Sequence, residues 1–205
     1  TWMKWSALPV AVLMVGGVAL AQDQSSSGSQ SSSSSQSGSS APAQASEAKP
    51  KPVVEQRKEN QQDRIANGVQ SGQLTAGETA NLEKKEAAIN KETAADRAAN
   101  GGKLTGAEKQ QINRQQNRLS KQIYADKHNA NTAHYGNNKV GQRRENQQDR
   151  IAKGIKSGQL TAGETAKLEN QQKNINHQVA ADRKANGGPL TASEKQQINK
   201  EQNAA

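Results

Sequence analysis

The chain has 205 residues, a formal net charge of +9, no cysteine and no phenylalanine, and 31% of its residues are hydrophobic. That apolar share lies below the roughly 45–50% of an average globular domain, which excludes a large core and leaves small helical units with thin interiors. The missing cysteine excludes disulfides, thiol catalysis and a lipid-modified cysteine. In chain order, the first element is "MKWSALPVAVLMVGGVALAQ". Lys4 forms a short positive region, an apolar run follows to Val18, and Ala19-Leu20-Ala21 makes an A-x-A cleavage pattern, so residues 1–21 read as a secretory signal peptide. The run is shorter than the ~20 apolar residues of a spanning helix. The expected location is secreted or periplasmic, with no membrane span once the signal is removed. Residues 22–52 are rich in Ser, Gln and Gly, with Pro42, Pro50 and Pro52 near the end, and read as a flexible tether.

Beyond the tether the sequence repeats. "ENQQDRIA" at 59–66 returns at 145–152, and "INKETAADRAANGGKLTGAEKQQIN" at 89–113 returns as "INHQVAADRKANGGPLTASEKQQIN" at 175–199, both at an offset of 86. Each copy divides again. A G-x-L-T-x-x-E pattern occurs at Thr75/Glu78, Thr105/Glu108, Thr161/Glu164 and Thr191/Glu194. A sparse apolar stripe at helical spacing follows each: Leu82, Ile89 and Thr93, then Ile112, Leu119 and Ile123. No stretch alternates with the period of a strand. The expected fold is all-α, with a first lobe over 53–138 and a second over 139–205. The last unit stops at Ala205, where the counterpart of Leu119 would stand, so the second copy is expected to be a truncated and less stable version of the first. Gly68, Gly101-Gly102, Gly154 and Gly187-Gly188 follow helical stretches and are expected to close them in the left-handed conformation.

Each Thr and Glu has capping-box spacing, in which the hydroxyl accepts from the amide three residues on and the carboxylate reaches back to the threonine amide. In a chain with so little core, four such caps are a sizeable part of the stability, and they need no ligand.

The arrangement of helix, Gly-containing loop, aliphatic residue and Glu four residues later also resembles a degenerate EF-hand, with two loops per lobe. The resemblance covers most of 55–124 and 141–203. It implies that Leu74 pairs with Leu104, and Leu160 with Leu190, in short bridges between loops. It implies calcium as the cofactor, held by Asn67, Ser71 and Glu78, by Asp96, Asn100 and Glu108, by Glu164, and by Asp182, Asn186 and Glu194. Val69 and Ile155 bring no oxygen to their slots, and Lys153 brings a cation.

No other constellation suggests catalysis. His128, His134 and His177 lack the H-E-x-x-H spacing, and the serines crowd the tether. The acidic residues stand within helical reach of Lys or Arg and read as surface charge. The stretch 118–138, with Tyr124 and Tyr135, reads as a helix end and a link to the second copy. Lys4 and Lys49 balance Asp23 and Glu47, so the whole excess of +9 lies beyond residue 50. A basic surface of this kind attracts an anionic envelope component or polymer, or nucleic acid, although base-stacking aromatics are scarce. Self-association is a second partner class. The expected function is structural or binding, without enzymatic activity.

Overall fold

Thr75, Thr105, Thr161 and Thr191 each begin a helix, and each carries the complete capping box. The Thr75 amide donates to Glu78 Oε2 at 2.9 Å, and the Glu78 amide donates to Thr75 Oγ1 at 3.3 Å. The computed structural model describes residues 51–205; the expected signal peptide and the expected tether up to residue 50 lie outside them. The described residues form α1 (Val53–Gln70), α2 (Ala76–Ala99), α3 (Gly106–Lys127), α4 (Lys139–Ser157), α5 (Ala162–Ala185) and α6 (Ala192–Ala204), with no strand among them. The all-helical expectation therefore holds. No helix there is long and apolar enough to cross a membrane.

Helix ends differ in part from expectation. Gly101, Gly102, Gly187 and Gly188 take positive φ, and the Gly102 and Gly188 amides return to Arg97 O and Arg183 O at 2.7 and 2.8 Å. Gly68 and Gly154 do not close their helices. They lie inside α1 and α4, and the left-handed residues are Gly72 and Gly158. Their role is close approach: a Cβ on Gly68 would stand 2.7 Å from the Leu74 side chain, and one on Gly154 2.6 Å from that of Leu160. Each leucine folds back onto the helix it has just left, and its amide donates to the carbonyl of that same glycine at 3.0 and 3.1 Å.

The expected pairing of Leu74 with Leu104, and of Leu160 with Leu190, is overturned for the same reason. α2 is one unbroken helix of 24 residues, so the joints at its two ends stand ~36 Å apart at 1.5 Å per residue. α5 separates Leu160 from Leu190 in the same way. What the structure shares with the resemblance is the succession of helix, loop and helix.

The copies pack on each other more than on themselves. α2 lies against α5 and α1 against α4, while α3 covers α1 and α2, and α6 covers α4 and α5. Equivalent residues meet: Ile65 and Ile151 share one cluster, with Leu74, Leu82, Ile112, Leu119, Ile123 and Ile155. A smaller cluster holds Val140, Ile175, Val179, Leu190 and Ile198. The stretches 53–138 and 139–205 thus belong to one unit with a shared interior. The stripe residues Leu82, Ile89, Thr93, Ile112, Leu119 and Ile123 are all buried.

Replacing Thr75 by alanine removes the cap of α2 and is expected to cost ~1 kcal/mol, which lowers Tm by about 2–4 °C in a domain of this size. A melt followed by circular dichroism checks this; an unchanged Tm would show that the cap does not hold the helix.

Candidate functional site

Three features stand out: the joints, a buried acidic layer, and a basic stripe. At the first joint Glu78 is fully engaged. Its Oε2 takes the Thr75 amide and hydroxyl, and its Oε1 accepts from Asn129 at 2.7 Å and Asn131 at 3.1 Å. Partial burial works to raise this carboxyl, but the Thr75 amide, Asn129, the Thr75 hydroxyl and Asn131 together hold it below the usual range. Asn67 and Ser71, which the resemblance groups with Glu78, serve the end of α1: the Ser71 amide donates to Asn67 O at 3.0 Å. At the second joint Asn100 Nδ2 donates to Glu108 Oε1 at 2.8 Å and to the Asp96 carbonyl at 2.8 Å. Asn186 Nδ2 donates to Glu194 Oε2 at 2.6 Å, and its amide returns to the Asp182 carbonyl. Glu164 takes the Thr161 amide and hydroxyl. The structure therefore brings Asn100 to Glu108 and Asn186 to Glu194, but with the amide N–H side of each Asn facing the carboxylate, whereas a cation needs its carbonyl oxygen. Among the described residues no three His, Asp or Glu side chains are placed to hold a metal ion.

Stretch 118–138 does more than link the copies. Ile123 is buried, but Tyr124 is exposed and stacks on His128, with ring centroids 4.1 Å apart. The chain then crosses the first joint, where the Ala133 amide donates to Gly72 O at 2.9 Å. Tyr135 slides beneath Arg144, whose guanidinium carbon lies 5.2 Å from the ring centroid. Burial, then the carboxylate of Glu169, pushes the Tyr135 hydroxyl up to about 12, against the pull of Arg144. All three histidines are exposed.

The sequence reading missed the acidic layer. Glu83, Glu86 and Glu169 look like surface charge beside Lys84, Lys85 and Lys167, yet all three are fully buried between the halves. Glu83 and Glu169 are equivalent residues and receive equivalent bonds: Gln62 Nε2 donates to Glu83 Oε2 at 3.1 Å, and Gln148 Nε2 to Glu169 Oε2 at 2.9 Å. The remaining oxygens, Glu83 Oε1, Glu169 Oε1 and both of Glu86, have no partner. Burial pushes Glu83 up to about 7, with Gln62 opposing and Glu86 adding. Burial pushes Glu86 to about 7 against the pull of Lys58, and Glu169 to about 8 against Gln148. At pH 7 Glu169 is therefore mostly protonated and Glu83 and Glu86 about half so, and each O–H supplies a donor to a layer otherwise rich in acceptors. The signal that could have found them is the helical spacing of Thr79, Glu83, Glu86 and Thr93 on α2, where Glu86 stands four residues after Leu82 and three before Ile89, within the apolar stripe itself.

The basic stripe is on α3. Arg114, Arg118 and Lys121 are spaced by four and three, so they share a face; all are exposed and none has an ion-pair or hydrogen-bond partner among the described residues. No acidic residue stands between Glu108 and Asp126.

The acidic layer fixes the pH dependence. Above the ordinary carboxyl value of 4.5 the unfolded chain releases these protons, while the folded chain holds them until about pH 7–8. Stability therefore falls as pH rises through that window. The four capping glutamates, all held below their ordinary value, act in the opposite sense and lose their contribution as pH falls below it. The optimum is expected at about pH 5. Glu86→Gln, which copies Gln172 at the equivalent position, is expected to stabilise the protein by ~1–3 kcal/mol at pH 8 and to flatten the slope between pH 5 and 8. Chemical denaturation across pH checks both; an unchanged slope would remove Glu86 from the titration. Comparisons of this chain with protein-family models, with curated proteins and with solved structures found no match.

Proposed function

We propose that this is an exported, non-enzymatic helical protein whose basic face binds an anionic partner at the cell envelope. The observation that carries the reading is the unneutralised charge of residues 51–205. The whole net charge of +9 lies there, yet the described residues form only two ion pairs, Lys51–Glu59 and Arg97–Glu55. Three further carboxyls are buried and, titrating at about 7–8, carry only part of their charge near neutrality, so they offset the surface cations less than their number suggests. A polyanion gains from such a surface by releasing its condensed counterions, with no need of a shaped pocket. The α3 stripe offers such a contact, since no acidic residue interrupts it between Glu108 and Asp126. The A-x-A pattern at Ala19-Leu20-Ala21 supports export.

The test is binding to an acidic polysaccharide and to DNA over a salt series, with the full mature chain and with the triple variant Arg114→Gln, Arg118→Gln, Lys121→Gln. The variant is expected to bind more weakly, with a salt slope shallower by up to ~2–3 on DNA, at about 0.9 per lost phosphate contact. Equal affinity and slope would remove the stripe from the interface. Preference for DNA at matched charge would favour a nucleic-acid partner over a wall polymer. Calcium added to millimolar level is expected to leave helicity and Tm unchanged; a clear gain in either would favour calcium sensing instead.

A further inference from the structure

The first turns of α1 and α4 occupy the same place in the two copies but differ in charge. Glu55 stands in the first turn of α1 and forms an ion pair with Arg97 of α2. Its counterpart at the offset of 86 is Gly141, and the first turn of α4 holds no acid. No side chain could stand there, because a Cβ on Gly141 would lie 2.0 Å from Tyr135 O and 2.2 Å from Gly136 O. The counterpart of Arg97 is Arg183, which has no hydrogen bond or ion pair among the described residues.

Both arginines line a pocket, and the two pockets are equivalent. That of the second copy, about 450 Å³, is lined by Val140, Leu190, Pro189, Arg183, Lys195 and Lys139. Each of these has its counterpart, at the offset of 86, in the lining of the first. The pocket is thus made from positions that both copies possess, and its volume lies within the roughly 300–1,000 Å³ of small-molecule sites. Val140 and Leu190 are buried and give it an aliphatic floor. Arg183, Lys195 and Lys139 give it three cations, and no carboxylate lines it. In the first copy Glu55 is part of the lining and already answers Arg97.

Arg144 adds to the imbalance. It is 8% exposed, its Nε has no partner, and it forms no ion pair among the described residues. Burial, opposed by Tyr135 and joined by the charge of Arg183, holds Arg144 below its usual range, so the two guanidiniums are near enough to repel. An anion seated on Arg183 relieves that repulsion.

We propose that the pocket of the second copy binds an aliphatic monocarboxylate, with its carboxylate on Arg183 and its hydrocarbon body over Leu190 and Val140. The pairing of Glu55 with Arg97 displays the head-group chemistry in the first copy. The guanidinium offers parallel N–H donors that match a carboxylate. Lys195 and Lys139 add charge around it. Asn138, the N-cap of α4, also lines the pocket, so the positive end of that helix dipole favours the same anion. The site is distinct from the α3 stripe and takes a small amphiphile where the stripe takes a polymer.

The experiment titrates octanoate into the full mature protein and follows methyl NMR shifts and Tm. Saturable binding is expected, with a higher Tm and with shifts at Val140 and Leu190. Acetate, which lacks the body, and octanol, which lacks the charge, are each expected to bind more weakly by roughly tenfold or more. Arg183→Gln is expected to lose octanoate to a similar degree, and Lys195→Gln, on an exposed side chain, gives a second variant should Arg183→Gln fail to fold. Glu55→Gln frees Arg97 and is expected to add a second site, seen as shifts at Val54 and Leu104. Binding of octanol as tight as that of octanoate, undiminished binding by either second-copy variant, or no second site in Glu55→Gln would each overturn the proposal.

Discussion

The contact between α2 and α5 is the constraint on which the remainder of the structure rests. Each helix is buried on one side by its own copy and on the other by its twin. Gly77 of α2 lies against Lys173 of α5, and Glu83 faces the region of Glu169, so the two helices run antiparallel about an approximate two-fold. With few large apolar residues available, this central seam is made of threonine, glutamine and glutamic acid. Such a seam holds only if nearly every polar atom finds a partner or gives up its charge. Burial drives the carboxyls towards the latter, and the unfilled acceptors around them mark where the packing costs most.

The joints make that seam possible. An interior this thin cannot set helix directions by bulk packing. Four threonine–glutamate caps fix where α2, α3, α5 and α6 begin. At two of them a leucine is pressed back onto a glycine of the preceding helix, which sets the angle at which the chain turns. The glutamates at these corners are committed to backbone amides. The same letters that suggest a chelating loop are, in space, a helix start.

Much of this was legible in the letters. The caps follow from a spacing of three, and the buried stripes from spacings of three, four and seven, because both depend on local geometry alone. The role of Gly68 was not legible, since a glycine six residues before a leucine signals nothing until the chain has turned. The pairing of loops fails because α2, at 24 residues, holds its two ends too far apart. Glu83, Glu86 and Glu169 were hidden for a deeper reason. A glutamate beside lysines on an amphipathic helix has the pattern of a solvated face, and only the arrival of a second copy takes water away from it. The α3 stripe was present in the sequence as charge, but not as a surface, until Leu119 and Ile123 showed which side faces inward.

The approximate two-fold has one more implication. A chain carrying a single copy would leave Ile65, Val69 and Glu83 facing solvent, and could bury them only by meeting a second molecule of itself about a true two-fold axis. Residues 128–138 replace that encounter with a covalent connection, which raises the effective concentration of one copy near the other to the millimolar range of short tethers. The protein is in this sense a homodimer written on one strand. Its halves are thereby free to diverge, and Gln172 at the position equivalent to Glu86 shows that they differ already.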